Sequence, residues 1–101
     1  MLRVSVDAYV LDSLMADLVG HDRRPSAFIV YLLLWRKTNG GTRDVGLSLR
    51  MIADGTGLSL RAAQDAIQVL VRRELLEVRR KRITSIAMYT LHCPWRARAA
   101  R

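Results

Sequence analysis

The sequence predicts an α+β fold in a single domain: about four helices followed by a C-terminal β-hairpin. Three observations predict it. Apolar residues recur at helical spacing from residue 6 to residue 73. Polar, glycine-bearing breaks interrupt them at residues 20–25, 38–42 and 55–57. Beyond Glu74 the pattern changes to β-branched and aromatic residues around the cation run Arg79 to Arg82. At 101 residues and 50% hydrophobic composition, the chain is long enough for one core and too short for two.

In the first segment Val6, Val10, Leu14 and Leu18 recur every four residues, with Leu11, Met15 and Val19 beside them and Asp7, Asp12 and Asp17 outside. A helix over 6–19 is expected. Its apolar residues occupy more than one side, more than packing on one small domain requires, so it is expected to pair two copies into a homodimer through Val10, Leu14 and Leu18. Gly20 is the expected stop, and His21 to Pro25 is a polar break before Ser26, a candidate N-cap for a helix over 26–37. That helix has almost no polar side and should be a central scaffold, with Tyr31 and Trp35 in the core.

Thr38 to Thr42 carries a turn signal, and Val45 to Leu47 can be a short third strand. Ser48 should cap a short helix through Asp54, with Gly55-Thr56-Gly57 breaking it. Leu58 returns to the core, and Ser59 should cap a helix from Leu60 to about Arg73. At about 100° per residue, Ala63, Ala66, Ile67 and Leu70 share one face of that helix, and Arg61, Asp65, Gln68 and Arg72 share the opposite one. Leu75 to Val78 then starts an extended segment, Arg79-Arg80-Lys81-Arg82 forms a basic corner, and Ile83 to Leu91 reads as the returning strand. Residues 93–101 form a basic tail, of which the low-complexity stretch Arg96 to Arg101 is expected to fray.

The formal charge of +8 and pI near 11.0 point to a polyanionic partner. Residues 1–59 hold seven basic and six acidic side chains, whereas 60–101 hold ten and three, so the binding surface should lie in the second half. Cys93 is the only cysteine, which leaves no intrachain disulfide and suits a reducing cytoplasm. No secretory leader pattern opens the chain, and the longest apolar run, Ala27 to Trp35, falls far short of the about 20 residues a membrane span needs. No membrane association is expected.

His21, His92 and Cys93 have no zinc-site spacing, so no metal and no cofactor are expected. Gly55-Thr56-Gly57 lacks the spacing and the lysine of a phosphate-cradling loop. With no nucleophile, base and orienting acid grouped together, an enzyme is not expected.

The stretch Leu49 to Arg61 contains the run Ile-Ala-x-x-Thr-Gly-Leu-Ser-x-Arg, Ile52 to Arg61. It resembles the helix-turn-helix of bacterial winged-helix transcriptional regulators of the MarR/GntR-like superfamily, and the resemblance extends over roughly residues 26 to 92. The pattern has a physical basis: Ala53 permits close helix approach, Gly57 a left-handed turn, Leu58 plugs the angle, and Ser59 satisfies free N–H groups.

The resemblance implies a winged helix-turn-helix that binds double-stranded DNA, with the second helix in the major groove. Ser59, Leu60, Arg61, Gln64 and Asp65 would then meet base edges, with Gln68 one turn further on. Arg61 suits guanine O6 and N7, and Gln64 or Gln68 suits adenine N6 and N7. Asp65 either accepts from cytosine N4 or orients Arg61. Arg43, Ser48, Arg50 and Arg72 are candidate backbone contacts, and Arg79, Arg80, Lys81 and Arg82 would form a phosphate-gripping wing. A dimeric repressor is the role this implies. The alternatives are a plasmid replication or partition factor, a winged helix used for protein assembly, and an RNA binder, the last disfavoured by six aromatics placed mostly in core positions. Operator and small-molecule effector are not legible.

Overall fold

A computed structural model describes residues 2–82 and 86–99. Two π-helical turns, Val10–Leu14 and Asp17–His21, open it. Then come α1 (Pro25–Lys37), β1 (Val45–Leu47), α2 (Leu49–Thr56), α3 (Leu60–Arg72), β2 (Leu76–Arg79), β3 (Ala87–Leu91) and α4 (Pro94–Ala99). The architecture is α+β: helices packed on a small three-stranded antiparallel sheet.

The N-terminal helix runs from residue 8 to 21, two residues later than the apolar spacing suggests, and is wound with i→i+5 bonds such as Asp22 N–H to Asp17 O at 2.8 Å. A stripe at four-residue spacing drifts about 40° per step around a 3.6-residue turn, and the wider turns offset that drift. Val10, Leu14 and Leu18 consequently stay on one line and are 0, 3 and 0% exposed. This corrects the expected dimer contact: these three side chains are core of their own chain, and the turn that carries Leu18 packs against α1. Leu11, Met15 and Val19 face outward.

Gly20 is not the stop. The helix continues to His21 and the chain turns at Arg23, whose φ of 56° is left-handed. Arg24 N–H bonds back to Leu18 O at 2.8 Å, and Arg73 Nη1 donates to both oxygens of Asp22 at 2.7 and 2.6 Å, tying this corner to the end of α3. α1 starts at Pro25 with no side-chain cap; a proline in the first position has no N–H to satisfy, so Ser26 is not needed as one. Ala27, Phe28, Val30, Tyr31, Leu34 and Trp35 are buried on α1, which packs against the N-terminal helix, α2 and α3 as a scaffold helix should.

The sheet order is β1-β3-β2, with Val45 opposite Tyr89, Leu47 opposite Ala87 and Leu76 opposite Leu91. The short third strand is therefore present. Leu47, Leu76, Ala87, Tyr89 and Leu91 point into the core. Ile83, Thr84 and Ser85, expected to begin the returning strand, lie outside the described residues, as do Ala100 and Arg101 of the tail.

α4 docks through Trp95 and Arg96, the second of which was expected to fray. Trp95 stacks on Tyr9 at 4.7 Å and lies parallel to Trp35 at 6.4 Å. Its Nε1 donates to Asp7 at 2.8 Å. Arg96 grips the same carboxylate through Nε at 2.7 Å and Nη2 at 3.1 Å, while its Nη1 donates to Gly40 O at 2.8 Å. The two donors, Arg96 first and Trp95 second, hold the Asp7 carboxyl below the usual carboxylate range. Among the described residues no helix is long and apolar enough to cross a membrane.

Candidate nucleic-acid interface

The α2–turn–α3 unit is built by local hydrogen bonding. Ser48 Oγ accepts from Met51 N–H at 3.1 Å and Ser59 Oγ accepts from Ala62 N–H at 3.0 Å, so both caps form where the sequence places them. Gly57, at φ 79°, supplies the left-handed residue that closes α2, its N–H reaching Ala53 O at 2.9 Å. Gly55 does not break the helix. It lies inside α2, where a Cβ would come within 3.1 Å of Leu33 Cδ1, so its bare backbone lets α2 sit against α1.

α3 buries Ala63, Ala66, Val69 and Leu70, with Ile67 half-buried. Leu60, Arg61, Gln64, Asp65, Gln68 and Arg72 are all exposed, so the structure brings the expected helix residues to one outer surface. Ser59 stands apart, its oxygen committed to the cap. The Arg61 side chain is 89% exposed and its Nε lies 4.0 Å from Asp65 Oδ2, a loose i,i+4 pair. Such pairs are weak, and this one leaves the guanidinium open to another acceptor while accounting for the carboxylate beside it.

Gln64, Gln68 and Arg72 share a groove with Arg80, which follows β2. Burial pushes the Tyr89 phenol at the groove floor upward, and Arg80 nearby partly offsets that shift. On the opposite flank of α3, Arg24 and Ser26 line a second hollow with Asp65, Gln68 and Arg72. Sequence reading missed Arg24; the signal was there in the charged run Asp22-Arg23-Arg24 ahead of Pro25. α3 thus runs between a basic residue from the corner before α1 and one from the hairpin.

The four-cation wing is corrected in one member. Arg79 lies in β2 rather than at the tip, paired with Asp44 and with Glu77 at 3.6 Å, while Thr90 Oγ1 donates to Asp44 Oδ1 at 2.9 Å. Strand pairing to Met88 holds Arg79 beside Asp44, which neutralises it. Arg80, Lys81 and Arg82 follow the strand and are exposed. Arg50 is exposed in the first turn of α2, and Arg43 is exposed on the turn before β1, its Nε 3.4 Å from Lys37 O.

Among the described residues no three His, Cys, Asp or Glu side chains converge. His21 is exposed and bonded to Asp22 at 3.0 Å, and burial pushes the Cys93 thiol up, with Tyr31 OH 3.9 Å from its sulfur. Comparison with protein-family models, with curated proteins and with solved structures finds no match to this chain.

Proposed function

We propose that this chain binds double-stranded DNA as a winged helix-turn-helix, α3 entering the major groove and the loop after β2 gripping the backbone beside it. The observation that carries the reading is the shared outer surface of α3: Arg61, Gln64 and Gln68 exposed along it, with Arg80 on one flank and Arg24 on the other. A helix in the major groove has a phosphate strand on each side, and flanking arginines suit that geometry. Arg61 matches guanine and the glutamines match adenine, each good bidentate pair contributing about 1–3 kcal/mol of discrimination. A repressor that blocks a promoter is the biological role this supports.

The test is fluorescence anisotropy of labelled duplexes, one random and one selected from a random pool, over a range of salt. Salt-dependent binding with a preference for the selected duplex supports the reading. A second reading, a protein-assembly module, draws on the outward Leu11, Met15 and Val19. It takes over if no duplex binds at low ionic strength.

A further inference from the structure

β2 has one neighbour in the sheet, β3, and its other side is an open edge. His92 N–H bonds to Leu75 O at 2.9 Å, so the Leu75 carbonyl faces β3. Backbone groups alternate in direction along a strand. Those of Glu77 and Arg79 therefore face β3, while the N–H and C=O of Leu76 and Val78 face away from it. A hollow of about 640 Å³ runs along that side, with Val71, Glu74, Leu76, Glu77 and Val78 in its walls. Native edge strands are commonly blunted by a proline or a bulge; β2 contains neither, and its register to β3 runs without a break.

The charge along this edge is ordered. Glu74 and Glu77 stand toward its start, and Arg79, Lys81 and Arg82 toward its end. A parallel copy of the same segment would set like charge on like, whereas an antiparallel copy sets each acidic start against a basic end. Among antiparallel registers, an axis at Glu77 puts that carboxylate opposite itself, and an axis at Arg79 does the same with the guanidinium. An axis at Leu76 leaves Glu77 opposite Leu75. An axis at Val78 puts Glu77 opposite Arg79 twice, on the outer face of the sheet, where the two side chains are 53 and 55% exposed.

We propose that two copies of this chain pair through β2, antiparallel about a two-fold axis at Val78, and so join their sheets into one. Each Val78 N–H donates to the Val78 carbonyl of the other copy. Glu77 of each copy stands opposite Arg79 of the other at a position where the strands bring side chains close. Arg79 keeps Asp44 within its own chain, and the second copy brings it a further carboxylate. Val71, exposed on α3 in the same hollow as Val78, supplies apolar contact along the seam. The pairing uses none of Arg61, Gln64 and Gln68, so it does not rest on the DNA reading above.

Sedimentation equilibrium of the full chain should give a dimer that loosens as salt is raised. Amide exchange at Val78 should slow as protein concentration rises, while the amides of Glu77 and Arg79, already bonded to β3, keep their rates. Glu77→Arg alone sets arginine against Arg79, and Arg79→Glu alone sets glutamate against Glu77, so each should weaken the dimer about tenfold or more. An equal mixture of the two variants should dimerise again, because one chain then carries two cations and the other two anions at the paired positions. Circular dichroism checks that each variant is folded.

A wild type that stays monomeric overturns the proposal. A dimer that both variants retain also overturns it, and places the contact elsewhere, as on Leu11, Met15 and Val19. Variants that separate and do not recover on mixing refute the register about Val78. The exchange measurement needs no variant, so a Val78 rate independent of concentration is fatal by itself.

Discussion

Replacing Arg80, Lys81 and Arg82 with serine isolates the hairpin's contribution to phosphate binding, because the structure separates these three from Arg79. Each phosphate neutralised by a cation lowers the slope of log K against log salt by about 0.9. If all three residues contact phosphates, the wild-type slope should be steeper than the variant's by about 2.7. Raising salt from 50 to 200 mM, a fourfold change, should then cost the wild type about 40-fold more affinity than the variant. Arg79→Ser is the internal control. Its charge is held by Asp44 and Glu77, so it should leave the slope unchanged and cost no more stability than an exposed pair supplies, about 0–1 kcal/mol. Anisotropy titrations on a random duplex at four or five salt concentrations give all three slopes. A triple variant with the wild-type slope, or an Arg79→Ser slope shallower by a full contact, would refute the assignment of phosphate contacts to the residues beyond the strand.

Arg61→Ala and Gln64→Ala should each weaken binding to a selected duplex by about 1–3 kcal/mol while changing random-duplex binding much less; equal losses on both demote them to backbone contacts. Ser59→Ala removes the α3 cap and should cost about 1 kcal/mol, a fall in Tm of about 4–8 °C by circular dichroism. Asp7→Asn should destabilise the chain at neutral pH. Because Arg96 and Trp95 depress the Asp7 pKa in the folded state, the stability it contributes is fully present above the ordinary carboxylate pKa and is lost as pH falls through the depressed one. The gap in Tm between wild type and variant should therefore close on acidification, and a gap unchanged down to low pH would disprove the pairing. Leu14→Asp buries a charge in the chain's own core and should unfold it; a folded, monomeric variant of a wild type that sediments as a dimer would restore the dimer interpretation of that stripe.

What the sequence made legible was whatever local chemistry decides. Ser48, Gly57 and Ser59 each act within four residues of themselves, so their caps and left-handed turn could be placed from the chain alone. The two faces of α3 followed from its periodicity in the same way. What stayed hidden depends on long-range neighbours. Asp44 finds Arg79 and Thr90 across the sheet, and nothing in a run of four cations announces that the first is neutralised. Asp7 meets Trp95 and Arg96 from the far end of the chain, so the stretch from Arg96 onward read as a frayed tail. The Val10, Leu14, Leu18 stripe was correctly seen as apolar and wrongly assigned, because spacing says that a face will be covered and not by what. Arg24 was passed over because its place beside α3 is set by the corner that Arg73 and Asp22 hold together.

The stacked pair Trp35 and Trp95 has a spectroscopic consequence. These are the chain's two tryptophans, and both sit in the clasp that joins α4 to the N-terminal segment, while none lines the groove beside α3. Tryptophan emission therefore watches one corner of the molecule. Denaturation followed by emission tracks release of that clasp, whereas far-ultraviolet circular dichroism tracks the helices. Coincident midpoints would mean that the corner and the body open as one cooperative unit, and separated midpoints would expose a species with its helices formed and its ends undone.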